Sequence, residues 1–338
     1  MASSYSNIHP VDQILTSLAI ESIPSDSQLI ADQVFEKVNI PERSGTLLIE
    51  NTRNFMGSPE LDLERAPGAS RAMIGSFDRT NLTYKAKIYS ASDSIAMEDI
   101  EDSQYPGSEE GRIVRKVART MKLAKEKRAA DVLFTAGNFA AGSKSDANAI
   151  PGGKGVKFNA AGAEPLSDLH IVKDLVFANS HGINPDTLIL GRDIFRELAR
   201  NPEMRGYVGD ATAGIASGNL LLNDEAIIQV LRNVLGIPHV YVGAARRETA
   251  IAGATSSEGY IWTSDQIFMG IMKGSDAIVS KTGNVKAMPV TALDFEFKDM
   301  IAGQYDSLDL IRRYVWAEQV NEFKMIDSSF GFLVTDCL

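Results

Sequence analysis

Two strand-like runs on either side of a long insertion place the strongest constraint on how this chain can fold. The runs cover residues 46–54 (TLLIENTRN) and 82–90 (LTYKAKIYS), and the second alternates apolar with polar side chains. Between them lie the 26 residues 55–80, whereas a hairpin turn has about two to five. Because a two-stranded ribbon alone is marginally stable in water, the sequence predicts a projecting hairpin that needs another protein surface.

The composition is that of a folded protein. The chain has 338 residues, of which 44% are hydrophobic and 23% charged, which suits one large or two ordinary domains. The start MASSYSNIHP has no basic leader before an apolar stretch, so we expect neither secretion nor a membrane span. The single cysteine, Cys337, excludes an internal disulfide and a cysteine-based zinc site. The net charge of -10 disfavours tight, sequence-independent binding of nucleic acid.

The most polarised segment is a helix predicted at residues 109–134. Apolar side chains recur at helical spacing along one face, and eight basic side chains between Arg112 and Arg128 accompany one acid, Glu126. The acidic residues before it suit the positive end of a helix dipole. The basic face is either a solvated surface or a local contact patch. Its candidate contact residues are Arg112, Arg115, Lys116, Arg119 and Lys122.

The rest of the chain reads as an arm, a junction, an α/β layer and a strand-rich end. Residues 1–44 predict an arm with a short helix at 27–38, and the Gly- and Ala-rich residues 136–163 predict a loop between folding units. Helices are predicted from Ser167 to Gly182, from Asp193 to Asn201 and at 224–236, with strands at 187–190 and 238–242. Later strands are predicted at 260–272, 277–290, 308–323 and 332–334.

No motif for catalysis, cofactor binding or metal binding stands out. The four histidines, His9, His170, His181 and His239, lack the spacing of metal ligands. Residues 151–155 (PGGKG) have the glycines of a phosphate loop, but Gly155 stands where Ser or Thr would bind magnesium. Nucleophile-elbow and dinucleotide-binding patterns are absent from the sequence. For Arg246 and Arg247 two predictions stay open: they bind a carboxylate or another anion, or they lie in an exposed loop. The sequence therefore predicts no catalytic residue, no cofactor and no metal, and we expect a protein that is not an enzyme. An α/β enzyme whose site is assembled from residues far apart in sequence stays open as a further hypothesis.

Three segments, taken in order, resemble the major capsid proteins of tailed double-stranded DNA bacteriophages, which have the Hong Kong ninety-seven-type fold. Residues 165–204 (PLSDLHIVKDLVFANSHGINPDTLILGRDIFRELARNPEM) are similar to the family's helix, its Pro-x-Thr-Leu-hydrophobic-Leu-Gly strand and the helix that follows. Residues 235–243 (LGIPHVYVG) and 261–265 (IWTSD) are similar to its next strands. The resemblance covers nearly the whole chain.

The resemblance implies an α+β fold with four parts. These are an N-terminal arm (residues 1–44), an extended β-hairpin loop (45–92), a peripheral domain (93–163 and 286–338) with a spine helix at 109–134, and an axial α/β domain (164–285). It implies a structural protein that forms hexamers and pentamers and closes into an icosahedral head around the phage genome. The protein would then be part of the virion, after assembly in the host bacterial cytoplasm.

The resemblance also implies partners. These are other copies of the chain, a portal protein, scaffolding or decoration proteins, and packaged double-stranded DNA. The basic helix face would either contact the DNA weakly or face a neighbouring subunit. No contact with a membrane is expected. The hairpin loop would contact a neighbouring subunit through residues of its long segment: Phe55, Met56, Leu61, Leu63, Arg65, Arg71, Met73 and Phe77. The alternative is an encapsulin-like compartment shell of the same fold that encloses an enzyme cargo.

Overall fold

The computed structural model describes residues 29–50, 67–68, 79–101, 106–211, 224–251, 253–273, 290–307 and 311–338. Three predictions fall wholly or largely outside these ranges: the first 28 residues of the arm, the greater part of the insertion at 55–80, and the strand at 277–290.

The described part of the chain contains seven α-helices and thirteen strands. The helices are α1 (Ala31–Val34), α2 (Met97–Glu101), α3 (Pro106–Leu133), α4 (Pro165–Asn179), α5 (Arg192–Arg200), α6 (Pro202–Ala211) and α7 (Asp224–Leu235). The strands are β1 (Lys37–Asn39), β2 (Ser44–Glu50), β3 (Arg79–Lys85), β4 (Lys87–Ala96), β5 (Lys144–Asp146), β6 (Thr187–Gly191), β7 (His239–Gly243), β8 (Arg246–Glu248), β9 (Glu258–Tyr260), β10 (Ile267–Gly270), β11 (Ala292–Ser307), β12 (Arg312–Met325) and β13 (Gly331–Thr335). None of the helices in these ranges is long and apolar enough to cross a membrane.

The first layer is a four-stranded sheet in the order β1-β11-β12-β4, crossed by the long helix α3. The helix predicted at 109–134 is confirmed as α3, with its first residue three positions earlier. Its apolar stripe, which includes Ile113, Val117 and Met121, packs on Val315 and Ala317 of β12. Helical spacing of apolar residues thus positions α3 against the sheet and turns its other face outward.

The second layer is a five-stranded sheet in the order β5-β13-β10-β6-β7. All five residues of β6 are buried, because Leu188 and Leu190 face a core formed with α4, α5 and α7, while Ile189 faces a second core that contains Trp262. A strand buried on both faces has the continuous apolar run seen here. The predicted order over residues 165–243 is confirmed for α4, β6, α5, α7 and β7. Helix α6 was not predicted, because Asn201 and Pro202 were expected to end the helical region.

The predicted strand at 82–90 is wrong as a single strand, because it is divided between two sheets. Residues up to Lys85 pair with β2, and residues from Lys87 onward pair with β12. The change occurs at Ala86, which is buried and donates its N–H to the Arg43 carbonyl at 2.7 Å. The paired hairpin therefore ends at Lys85 and does not extend to residue 92. Alternation continues through the junction, so the pattern does not reveal the change of partner.

Strand β11 is missing from the sequence prediction. Its pairing with β12 carries two register shifts, between residues 296 and 298 and between 298 and 301. Such irregularities interrupt the alternation of apolar and polar side chains on which a strand prediction depends. Two of its acidic residues, Asp294 and Glu296, are also buried, which removes the usual link between charge and exposure. The predicted helix at 27–38 is likewise wrong in length, since it is only α1, followed by β1.

The last strand lies in a different sheet from the one expected. The region 286–338 was predicted to complete the peripheral sheet, and β11 and β12 do pair with β4. Strand β13, however, pairs with β10 and β5 in the five-stranded sheet. Strand β5 arises within 136–163, which was predicted to be a loop. The chain therefore returns to the α/β layer at its end.

Candidate functional site

The hairpin ribbon, β2 with β3, is the first candidate interaction surface. The two strands pair from Ser44 with Lys85 to Glu50 with Arg79, and within the described ranges each pairs only with the other. The eight loop residues predicted to contact a neighbour, Phe55 to Phe77, lie outside the described residues. The structure therefore describes the base of the ribbon and leaves the contact residues as predictions.

The base of the ribbon is fixed to the four-stranded sheet. Tyr84 stacks on Phe295 of β11, with ring centroids 5.3 Å apart and an interplanar angle of 14°. The backbone N–H of Lys85 donates to the Glu322 carboxylate at 2.6 Å. A Cβ at Gly45 would lie 2.6 Å from the Tyr84 hydroxyl, so only glycine fits opposite that ring. These contacts hold the direction in which the ribbon leaves the sheet.

The basic face of α3 is the second candidate surface, and we define it by its five predicted residues. Arg112, Arg115, Lys116 and Arg119 are exposed, and Lys122 is half-buried. Lys116 donates to the Asp93 carboxylate of β4 at 2.6 Å, and this hydrogen bond holds the pKa of Asp93 below its usual range. The prediction of an outward basic face on this half of the helix is confirmed in the geometry; what it binds stays a prediction.

A cleft of about 440 Å³ opens beside the first turns of the basic face. Its charged lining consists of Asp93, Asp99, Arg112, Lys116 and Arg312. Charges of both signs line it, and two of them, Asp93 and Lys116, are already paired. The cleft therefore does not present a field of one sign to a charged ligand.

Two of the three remaining basic residues of α3, Lys125 and Arg128, turn inward, which could not be seen in the sequence, whereas Lys127 pairs with Asp131 on the helix surface. Lys125 is 5% exposed, and its ammonium lies 2.6 Å from the Asp32 carboxylate of α1 and 3.3 Å from the Asp294 carboxylate of β11. Arg128 stacks over the Tyr89 ring at 3.6 Å and donates to the Asn321 side-chain oxygen at 3.2 Å. The sequence shows one charged stretch, whereas the fold divides it into an outer and an inner half.

Glu126 is the single acid in that stretch and joins three parts of the chain. We call residues 29–39, which contain α1 and β1, the arm root. The backbone N–H of Ala31 in the arm root donates to Glu126 Oε1 at 2.7 Å, and the Trp262 indole N–H donates to Oε2 at 2.7 Å. Burial raises the pKa of Glu126 to about 7, although both hydrogen bonds act to lower it. A lone acid among eight bases was the signal available in the sequence.

The other sequence candidates have structural explanations. In residues 151–155 the backbone N–H of Lys154 donates to the buried Asp168 carboxylate at 2.9 Å, and Gly152 and Gly155 have φ of +83° and +70°, which favours glycine. Arg246 pairs with Glu258 at 3.0 Å across the β8–β9 hairpin. Cys337 is buried, which raises the pKa of its thiol. Among the described residues, no cluster of three His, Cys, Asp or Glu could hold a metal ion.

Comparisons with known proteins point to one fold. No protein-family model and no curated protein sequence matches the chain. A solved phage-related protein from Bordetella bronchiseptica is similar at 20% identity and a TM-score of 0.67, over 97% of this chain and 98% of that one. A protein assigned as the capsid protein of a prophage in E. coli CFT073 has 13% identity and a TM-score of 0.52, over 96% and 97% of the two chains.

The chain has the Hong Kong ninety-seven-type phage capsid fold. A virus-like particle from Pyrococcus furiosus is also similar, at 9% identity and a TM-score of 0.52, over 95% of this chain and 98% of that one. The α+β class and the fold predicted from the sequence are confirmed. Within this capsid fold, four of the five residues of the basic face are exposed, Tyr84 ties the base of the ribbon to a core, and Lys125 and Glu126 are internal.

We expect the two halves of α3 to respond differently to the same substitution. Lys125→Met should lower the free energy of unfolding by about 3 kcal/mol, because it leaves the buried Asp294 carboxylate without its ammonium partner. Lys116→Met is the matched control, since its side chain is 68% exposed, and it should change that free energy by less than about 1 kcal/mol. Chemical denaturation of both variants measures the difference. Equal losses would show that Lys125 is not an internal anchor.

Proposed function

We propose that this chain is a major capsid protein that assembles through hexamers and pentamers into an icosahedral head around a double-stranded DNA phage genome. The observation that carries the proposal is a capsid fold shared over nearly the full length with a prophage capsid protein. The proposal retains the arm at 1–44, the extended loop, the peripheral domain and the axial domain, with β5 and β13 assigned to the axial sheet.

The ribbon supports assembly through contacts between unlike surfaces. Strands β2 and β3 are anchored at one end by Tyr84 and Lys85, and a two-stranded ribbon gains stability when a further surface covers it. A ribbon of one subunit that lies on the body of the next forms a head-to-tail contact, and repeated contacts of this kind close into rings. Hexamers and pentamers are such rings.

The basic face supports a weak contact with packaged DNA. Four of its five cations are exposed, and phosphate neutralisation by a few cations gives binding that falls steeply with salt. The net charge of -10 opposes tight binding by the whole subunit. A shell protein needs weak contact only, because the closed shell itself retains the genome.

The proposal extends to location and partners. The protein is a component of the virion, assembled in the host bacterial cytoplasm, with a portal protein and a scaffolding or decoration protein as further partners. Its role is structural and not enzymatic. Two observations support this: Cys337 is buried, and the exposed 151–155 loop is tied to the buried Asp168 carboxylate by the Lys154 N–H. A compartment shell that encloses an enzyme cargo is the alternative, favoured by the similarity to a virus-like particle.

Electron microscopy of the purified full-length protein tests the assembly directly. We expect closed icosahedral particles, or rings of five and six subunits, with size-exclusion chromatography giving the matching mass. Co-expression with scaffolding candidates is the second arm. A monodisperse monomer or dimer in both arms, at all salt and protein concentrations, would contradict a shell function. Nucleic acid inside the particles identifies a virus head, and protein cargo without nucleic acid identifies a compartment.

Deletion of residues 55–77 should separate folding from assembly. Both ribbon strands and all described cores remain in this variant, so thermal unfolding of the subunit should be nearly unchanged. Closed shells should be lost, because the segment predicted to reach a neighbour is gone.

A length-matched variant controls for the shortened chain. It keeps residues 55–77 but replaces their large apolar side chains by serine, at Phe55, Met56, Leu61, Leu63, Met73, Ile74 and Phe77. It should also fold and fail to close. Normal particles from both variants would refute the role of the loop.

Neutralising the middle of the basic face should weaken DNA retention. The triple variant Arg115→Gln, Arg119→Gln, Lys122→Gln removes three cations from one helix face, and DNA affinity at low salt should fall about tenfold or more with a shallower salt dependence. Subunit unfolding should shift by less than about 1 kcal/mol, because most of these side chains are exposed. A filter-binding titration against salt gives both quantities.

A second triple variant controls for the change in total charge. Arg196, Arg200 and Arg205 are exposed on α5 and α6, and replacing all three by glutamine changes the net charge by the same amount. DNA binding should stay close to that of the unaltered protein. An equal loss in both triples would assign the effect to total charge and reject the basic face as the contact.

A further inference from the structure

The arm root is held by a carboxyl group buried in a mainly apolar surrounding. Glu126 is 2% exposed, and its two oxygens accept hydrogen bonds from elements far apart in the chain, Ala31 of the arm root and Trp262 before β10. Trp262 is itself fully buried and meets Phe134 edge-on at 5.2 Å. The docked arm root thus contacts this carboxyl group directly and helps to separate it from water.

We propose that docking of the arm root is coupled to protonation of Glu126, so that the arm root is a proton-sensitive latch on α3. In the docked state the carboxyl group is removed from water, which disfavours its charge. When residues 29–39 detach, the backbone N–H donors of Ala31 and Ile30 leave the carboxyl group and water replaces them. The docked state therefore takes up a proton that the detached state releases.

The direction of the effect follows from burial. The pKa of Glu126 is raised to about 7 in the docked state, with desolvation as the largest cause, against an ordinary value of about 4.3 for a solvated glutamate. A group with a raised acid pKa stabilises the docked state at low pH, and this contribution is lost as pH rises through about 7. The arm root should accordingly be held more tightly at pH 6 than at pH 8.

Other charged groups face the same junction from each element packed on it. Asp32 of α1 lies near Glu126, and Lys125 of α3 and Lys37 of β1 pair with Asp32 at 2.6 and 3.1 Å. These two lysines keep the pKa of Asp32 below its ordinary value despite burial, so Asp32 titrates well below pH 6. The interaction with Asp32 raises the pKa of Lys37, which places its titration well above pH 8.

Three further carboxyl groups lie along the arm root. Asp294 and Glu296 of β11 have a raised pKa because they are buried, and Glu36 of the arm root has a raised pKa from partial burial. All three shifts have the same sign as that of Glu126. Substitution of Glu126 alone is therefore needed to assign the effect, because the neighbours remain in place in that variant.

Hydrogen–deuterium exchange on the folded, full-length protein provides the test. With exchange rates corrected for their intrinsic pH dependence, protection of residues 29–39 should fall about tenfold between pH 6 and pH 8. In Glu126→Gln the change should shrink to within about twofold, since amides do not titrate in this range. Asp168→Asn is the matched control: it replaces another fully buried acid, on α4, and should retain the tenfold change.

A second variant keeps the test decisive if Glu126→Gln does not fold. Trp262→Phe removes the indole donor that stabilises the ionised carboxyl group, so the pH at which protection falls should move upward. Protection that is equal at pH 6 and pH 8 in the unaltered protein would overturn the proposal. So would an unchanged pH dependence in Glu126→Gln, or an unmoved midpoint in Trp262→Phe. None of these outcomes depends on whether the subunits form shells.

Discussion

The burial of two ionisable side chains, next to each other on one helix, is the constraint on which the rest of the structure depends. Lys125 and Glu126 lie inside the protein, and each needs partners because a buried polar or charged group without partners is costly. Lys125 finds them in α1 and β11, and Glu126 finds them in the arm root and Trp262. Helix α3 thereby connects three parts of the protein: the arm root, strand β11 of the four-stranded sheet, and the segment around Trp262 before β10.

The residues that complete the cores differ from those proposed for assembly. The cores are completed by apolar side chains such as Val117, Leu188 and Trp262, which are fully or almost fully buried. On the basic face of α3, Lys116 pairs with Asp93 of the sheet, while Arg115 and Arg119 are exposed. A subunit built in this way can reach its own fold before the proposed contacts with neighbours form.

Regular patterns could be predicted from the sequence, and changes of partner could not. The stripe at Ile113, Val117 and Met121 predicts α3, and the continuous apolar run from Leu188 to Leu190 predicts a fully buried strand. The capsid fold itself was implied by the resemblance of three such segments, in order, to a known family. At Ala86, by contrast, the chain leaves one sheet for another without any break in alternation, so no local signal marks the end of the ribbon.

The buried charges were missed for a related reason. Lys125 and Lys122 belong to one basic stretch, and only the position of Asp294, about 170 residues later, determines that Lys125 is internal. Strand β11 was missed because its two register shifts interrupt the alternation of apolar and polar side chains, and because its buried acids are of a residue type usually found in exposed loops. Both errors come from contacts between residues that are far apart in the sequence. Such contacts cannot be predicted from patterns of neighbouring residues.

The position of β13 has a consequence for the order of events during synthesis. It lies between β5 and β10, so two strands made earlier, separated by more than a hundred residues, gain a common neighbour only when Thr335 has been translated. The α/β sheet therefore cannot be completed while the chain is still on the ribosome with this segment in the exit tunnel. Nascent chains that lack β13 retain the open edge of β10, whereas chains that contain β13 have that edge paired.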